Sequence, residues 1–346
     1  MNDPQATFPP APRAQLLAVV LMAGFALRTM NALRRAIPGG LNGVHVLLDI
    51  LLADRVRRLG LARPVPGGRV RQGPDAGGSS ILAVSAATGV PRESARRTIM
   101  ALTHDGWLAA LPQGGRVPGE RTRRDFALRD DARMLVEFAW VSGEVRATQR
   151  AQDADVERLV ARYPWHAALA TERESLSHPG FLAARAALAE RVRLASPGMQ
   201  EACAHVADGY LYRHLGRLRR TFDGDLMLPV LIGEIAHRNI SALAHRDDAS
   251  DEARQYGTVY GGTPRSPDVR WAPINAHSLS QAMALPDATV RRKIAYLAQR
   301  GWIEVSEHGL LSVTPEVRRH ATPMNGESLA DMIACHQALA DLGLVP

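Results

Sequence analysis

The chain has two cysteines, Cys203 and Cys335, and a single lysine, Lys293, in 346 residues. Two thiols cannot build a disulfide framework and suit a reducing compartment, so a cytoplasmic setting is expected. With one lysine, 41 of the 42 basic residues are arginine (42 − 1 = 41). Usage that one-sided follows from a GC-rich genome as readily as from function, so the placement of the arginines carries more weight than their number. No phosphate-cradling loop is present: Pro66-Gly67-Gly68 and Gly77-Gly78 lack the Lys-Ser/Thr that must follow. Cys203 and His205 fall on different faces of a helix, and Cys335 and His336 are adjacent, so neither pair has metal-ligand spacing. No Ser/His/Asp set or paired carboxylates stand out. The expectation is no enzyme, no catalytic residues, no metal and no cofactor. The apolar run Leu16–Leu27 has 12 residues, too short to span a bilayer, so no membrane is expected.

What is present is a repeat. Residues 90–107 read VPRESARRTIMALTHDGW and residues 285–302 read LPDATVRRKIAYLAQRGW, with seven identities in 18 positions. Chance would give roughly one. The identities are Pro91/Pro286, Arg96/Arg291, Arg97/Arg292, Ile99/Ile294, Leu102/Leu297, Gly106/Gly301 and Trp107/Trp302, an offset of 195 (286 − 91). Upstream, LNG at 41–43 matches FDG at 222–224, and Leu33-Arg34-Arg35 matches Leu218-Arg219-Arg220. The offset changes only where polar or Gly/Pro-rich loops tolerate insertion. The repeated unit therefore covers 14–128 and 203–315. Its first helix includes Leu16–Leu27, whose counterpart carries His205 and Asp208, which argues for a packing helix and against a targeting peptide. Residues 1–13 read as a loose tail.

Within the first copy, Ile81–Thr88 predicts a short helix, Gly89 a tight turn and Pro91 the first turn of a second helix. Ala95, Ile99 and Leu102 then form one inward stripe and leave Arg92, Ser94, Arg96 and Arg97 off it. In the second copy Val290, Ile294 and Leu297 face inward and leave Thr289, Arg291, Arg292 and Lys293 outside. A hairpin follows each Gly-Trp. The first is expected to run from Trp107–Leu111 to Asp125–Leu128 around a flexible basic tip with Arg116, Arg121, Arg123 and Arg124. The second runs from Trp302–Val305 to Leu310–Val313 around Glu307-His308-Gly309. Trp107 and Trp302 read as packing residues that lock hairpin to helix.

This pattern resembles the winged helix-turn-helix domains of bacterial transcription regulators of the MarR, GntR and IclR type, over 80–128 and 276–315. The resemblance implies that Ser94, Arg96 and Arg97, with Thr289, Arg291 and Arg292, contact bases and phosphates of double-stranded DNA. The expected fold is mainly α with small β-hairpin wings, as two duplicated winged helix-turn-helix units joined by a helical layer at 129–202. A C-terminal helix is expected at 316–346, with its amphipathic stretch at Ser328–Leu342. The middle layer suits a homodimer interface or the pocket of a small-molecule effector, though no residue names a ligand.

The net charge of +7 and a pI of about 10.1 favour an anionic partner. The charge is uneven: 10 Arg against 5 acids over 60–125 give +5, and 7 basic residues against 5 acids over 268–320 give +2. The first copy is expected to carry more of the DNA affinity. Two other functions fit the same residues. One is a tandem winged-helix factor that grips another protein, and the other is a plasmid-type replication initiator.

Overall fold

Apolar residues recurring every three or four positions make helices of most of the chain, and the architecture is mainly α, with two short antiparallel ribbons among the described residues. A computed structural model describes residues 13–58, 78–112, 114–125, 129–150, 179–244 and 274–346. Residues 1–12 of the expected tail lie outside the described residues. The order is α1 (Arg13–Ala36), α2 (Gly40–Arg58), α3 (Ile81–Thr88), α4 (Arg92–His104), β1 (Leu108–Ala110), β2 (Arg116–Pro118), α5 (Glu120–Asp125), α6 (Arg129–Arg150) and α7 (Pro179–Leu194). There follow α8 (Pro197–Thr221), α9 (Met227–Ala244), α10 (Ala276–Met283), α11 (Asp287–Gln299), β3 (Ile303–Val305), β4 (Leu311–Val313) and α12 (Pro315–Asp341). One sequence of elements thus occurs twice, α1-α2-α3-α4-β1-β2-α6 and α8-α9-α10-α11-β3-β4-α12. Only α5 and α7 lack a counterpart among the described residues.

The last helix, α12, takes in most of 316–346. It starts at Pro315, well before Ser328, because Thr314 caps it by accepting from the Val317 N–H (3.5 Å) and Pro315 suits its first turn. Of the helical layer expected at 129–202, residues 151–178 lie outside the described residues, and 129–150 occupy a place equivalent to α12. Helix α6 packs on α1, α12 packs on α8, and α6 and α12 pack on each other. Matching ion pairs tie each set: Arg28 to Glu137 at 2.8 Å and Arg213 to Asp331 at 2.8 Å. Those partners stand at constant offsets, 213 − 28 = 185 and 331 − 137 = 194. Where α6 meets α12, the Ser142 hydroxyl lies 3.1 Å from His336 Nδ1, and 336 − 142 is again 194. Equivalent positions touch each other there, as they do at a twofold axis.

Two apolar clusters hold the arrangement. One gathers Phe25, Phe138 and Tyr210, with ring centroids 5.1–6.4 Å apart, between α1, α6 and α8. The other runs through α2, α3, α4, α9, α10 and α11 and includes both tryptophans, Trp107 and Trp302, which are 4% and 3% exposed. They are packing residues. Burying each large apolar side chain stabilises by about 1.5–3 kcal/mol. Gly43 and Gly224, aligned in LNG and FDG, are needed for different reasons. A Cβ on Gly43 would lie 1.8 Å from the Pro38 carbonyl oxygen, whereas Gly224 turns the chain with a φ of +81°. Among the described residues no single helix is long and apolar enough to cross a membrane.

Candidate nucleic-acid interface

The first helix-turn-helix begins where Ser80 caps α3, its hydroxyl accepting from the Ala83 N–H at 3.2 Å. It turns at Gly89, whose φ of +68° is the left-handed conformation that glycine adopts without steric cost. Pro91 then precedes α4. The second copy caps α10 with Asn275, which accepts from the Ser278 N–H at 2.8 Å. It turns at Ala284, and 284 − 89 is 195. Ala284 carries a φ of +48°, so the second copy holds a side chain in a conformation disfavoured by about 1–2 kcal/mol.

On α4, Ala95, Ile99 and Leu102 are fully buried, and on α11 Val290, Ile294 and Leu297 face the core. The opposite faces carry the expected residues. Arg92, Arg96, Arg97, Arg291 and Arg292 are exposed, and Ser94 and Thr289 are half-buried at the edge. Each helix also holds one arginine on an acid of its own first turn. Arg96 donates to Glu93 at 2.7 and 3.0 Å, and Arg291 Nε donates to Asp287 at 2.6 Å. Those hydrogen bonds hold both carboxyls below the ordinary range. Exposed pairs of this kind contribute little, so the guanidiniums can leave for a phosphate at small cost. Met100 is exposed one turn beyond Arg96 and lies 3.1 Å from its Nη1.

Lys293 is a correction. It is half-buried, and its ammonium is paired with Asp225 in the turn between α8 and α9. Its counterpart Thr98 (293 − 195 = 98) lies against Gly39 in the turn between α1 and α2. That position clamps the second helix of each unit to the preceding turn and does not face outward.

The first wing is a larger correction. The return strand is Arg116–Pro118, paired antiparallel with β1 in the register Leu108↔Pro118, and not Asp125–Leu128. Gly114 and Gly115, at φ +86° and +82°, reverse the chain at once. Pro118 has no N–H to extend the ladder, and Glu120 then opens α5. Residues 126–128 lie outside the described residues. Arg121 therefore sits on α5, stacked over the Trp107 ring at 4.5 Å and donating to the Asp105 carbonyl. Arg116 borders the tip, is half-buried and donates to the Gly115 carbonyl at 2.9 Å. Arg123 and Arg124 lie on α5, with side chains outside the described residues. The basic residues do not form one flexible finger. The second ribbon follows expectation, with Ile303↔Val313 in register and Gly309 at φ +73°. A third short segment joins each ribbon, through bridges Ser79↔Arg116 and Asn275↔Leu310.

Elsewhere, chemistry is sparse. Among the described residues no group of three or more His, Cys, Asp or Glu side chains could hold a metal ion. Both thiols are buried, and burial raises both pKa values, that of Cys335 to about 11, so they are poor nucleophiles at neutral pH. No protein-family model, no curated protein and no solved structure matches the chain.

Proposed function

We propose that the protein is a sequence-specific, double-stranded-DNA-binding transcription regulator that carries two winged helix-turn-helix units in one chain and works in a bacterial cytoplasm without catalysis. One observation carries the reading: the Arg96-Arg97 and Arg291-Arg292 pairs occupy the same exposed place on the second helix of each helix-turn-helix, directly before a short ribbon. Arginine on such a helix forms bidentate bonds to guanine edges in the major groove and neutralises phosphates. Regulators with one unit must dimerise to present two reading helices. Here α6, α12, α1 and α8 make the equivalent of a dimer interface inside the chain. Two units held in this way would read half-sites about 34 Å apart, one helical turn of DNA.

Because Arg92 stands opposite Asp287 and Met100 opposite Ala295, the half-sites differ and the site is an imperfect palindrome. Selection from a random pool of duplexes tests this. The expected result is one enriched motif with two unlike halves. Enrichment of no sequence would overturn the reading. A second reading, in which the second unit grips a protein, draws support from the acidic second ribbon (Glu304, Glu307) and the exposed Val305. It predicts a motif with a single half.

A further inference from the structure

The two helix-turn-helix units are braced crosswise, each by the other half of the chain. Arg34, on α1 of the first half, donates from Nη2 to the Met283 carbonyl at the end of α10 in the second half. Its counterpart Arg219 (219 − 185 = 34), on α8 of the second half, lies over the turn of the first unit. A Cβ on Gly89 would sit 3.3 Å from the Arg219 side chain. The Arg219 guanidinium bonds Asn42 on α2 and, at 3.0 Å, the Gly224 carbonyl of its own turn. Two α8 turns earlier, the Tyr212 hydroxyl lies 3.2 Å from the Ala87 carbonyl near the end of α3 and 3.1 Å from Asp49 on α2. Arg219 is buried and Arg34 half-buried, and burial lowers both from the ordinary guanidinium range.

A charged side chain drawn partly out of water and bonded to the other half, Arg34 to the Met283 carbonyl and Arg219 to the Asn42 side chain, is a costly way to pack two helices, and apolar contact would do as well for stability alone. What the directed bond adds is a fixed angle and distance. We propose that Arg34 and Arg219 are positioning residues that set the separation and relative rotation of the two reading helices, so that the protein selects duplexes by the spacing of their half-sites as well as by base sequence. The inference rests on the DNA-reading function proposed above.

The geometry of DNA makes the claim testable. Each added base pair moves the second half-site by about 3.4 Å and rotates it by roughly 35°. The experiment measures binding of the full chain to duplexes carrying the selected motif with its centre shortened or lengthened by one and two base pairs. The wild type should lose about tenfold or more in affinity for a one-pair change. Arg34→Met and Arg219→Met should flatten that profile to about threefold or less, while binding to a duplex with a single half-site stays unchanged. Tyr212→Phe removes only a hydroxyl and serves should either arginine variant fail to fold; it should flatten the profile partially. Variants that weaken every spacer equally and keep the profile's shape would overturn the positioning role, as would a wild type indifferent to spacing. A wild type that binds no duplex at all would instead remove the DNA-reading function, and the positioning role with it.

Discussion

Helices α2 and α9 hold equivalent places in the two halves and are built from different chemistry. Four buried positions of α2 are polar: His45, Asp49, Asp54 and Arg55. At an offset of 181 their counterparts are Leu226, Val230, Ile235 and Ala236, all buried and apolar, just before and within α9. Across from α2, helix α8 supplies Asp208 to Arg55 and Tyr212 to Asp49. Across from α9, helix α1 supplies Leu27, whose methyl groups lie so close to Gly233 that a Cβ there would meet them at 2.7 Å. One interface is a set of directed polar contacts and the other is close apolar packing. The same architecture therefore does not need the same core. It needs equivalent shapes, with every buried charge matched.

The largest effect should come from unmatching one. Asp208 is fully buried, and burial raises its pKa although Arg55 pulls the other way. Arg55→Met leaves that carboxylate alone and should cost about 3–5 kcal/mol in urea denaturation. Arg55→Met combined with Asp208→Leu, which imitates the apolar half, should recover most of the loss. A single variant as stable as the wild type would show that the polar interface contributes no more than an apolar one.

Acid should separate the halves next. Burial lowers the pKa of His45 to about 3 and that of His214 to about 4. Both folded values lie below the ordinary 6.5, so the unfolded chain takes up protons first. Stability from these groups is complete above about pH 6.5 and is lost progressively as pH falls toward the folded values. The thermal midpoint should thus decline between pH 6.5 and 4.5, and His45→Leu, which installs the residue found at 226, should flatten part of that decline. An unchanged slope in that variant would exclude His45 as a source.

A smaller and opposite effect is expected at the turns. Ala284→Gly relieves a left-handed conformation that the first unit already meets with Gly89, and should raise stability by up to about 1 kcal/mol. Gly89→Ala should do the reverse. Equal and unchanged stabilities would mean the two turns carry no such cost. The smallest effect belongs to Lys293→Thr, which copies Thr98: duplex affinity and its salt dependence should not change, because the ammonium already has Asp225.

Much of the paired α3-α4 and α10-α11 geometry is legible in the sequence. Ile81–Thr88, Gly89 and Pro91 fall where turn and cap chemistry puts them, and the inward stripes of α4 and α11 follow from helical spacing alone. The equivalence of α6 and α12 was not legible. Of their matched core positions only Leu135/Leu329 is identical, while Phe138/Met332 and Val145/Leu339 preserve bulk and not identity. The first hairpin departs from expectation because Pro118 ends a strand early and Gly119 leads straight into a helix, within the stretch expected to be its basic tip. Lys293 went astray because helical spacing alone says which residues leave the core stripe, but not which neighbouring turn lies alongside them. The cross-braces have a signal in the repeated Leu-Arg-Arg at 33–35 and 218–220, which marks equivalent positions but does not name their partners.

The salt dependence of duplex binding tests the central claim most directly, measured for the wild type, for Arg96→Ala/Arg97→Ala and for Arg291→Ala/Arg292→Ala. Losing two phosphate contacts should lower the slope of log affinity against log salt by about 1.8. Both variants should show a reduction, with the greater loss of affinity in the first. Slopes identical to the wild type in both would contradict the account, because the arginines shared by the two units would then not be touching DNA.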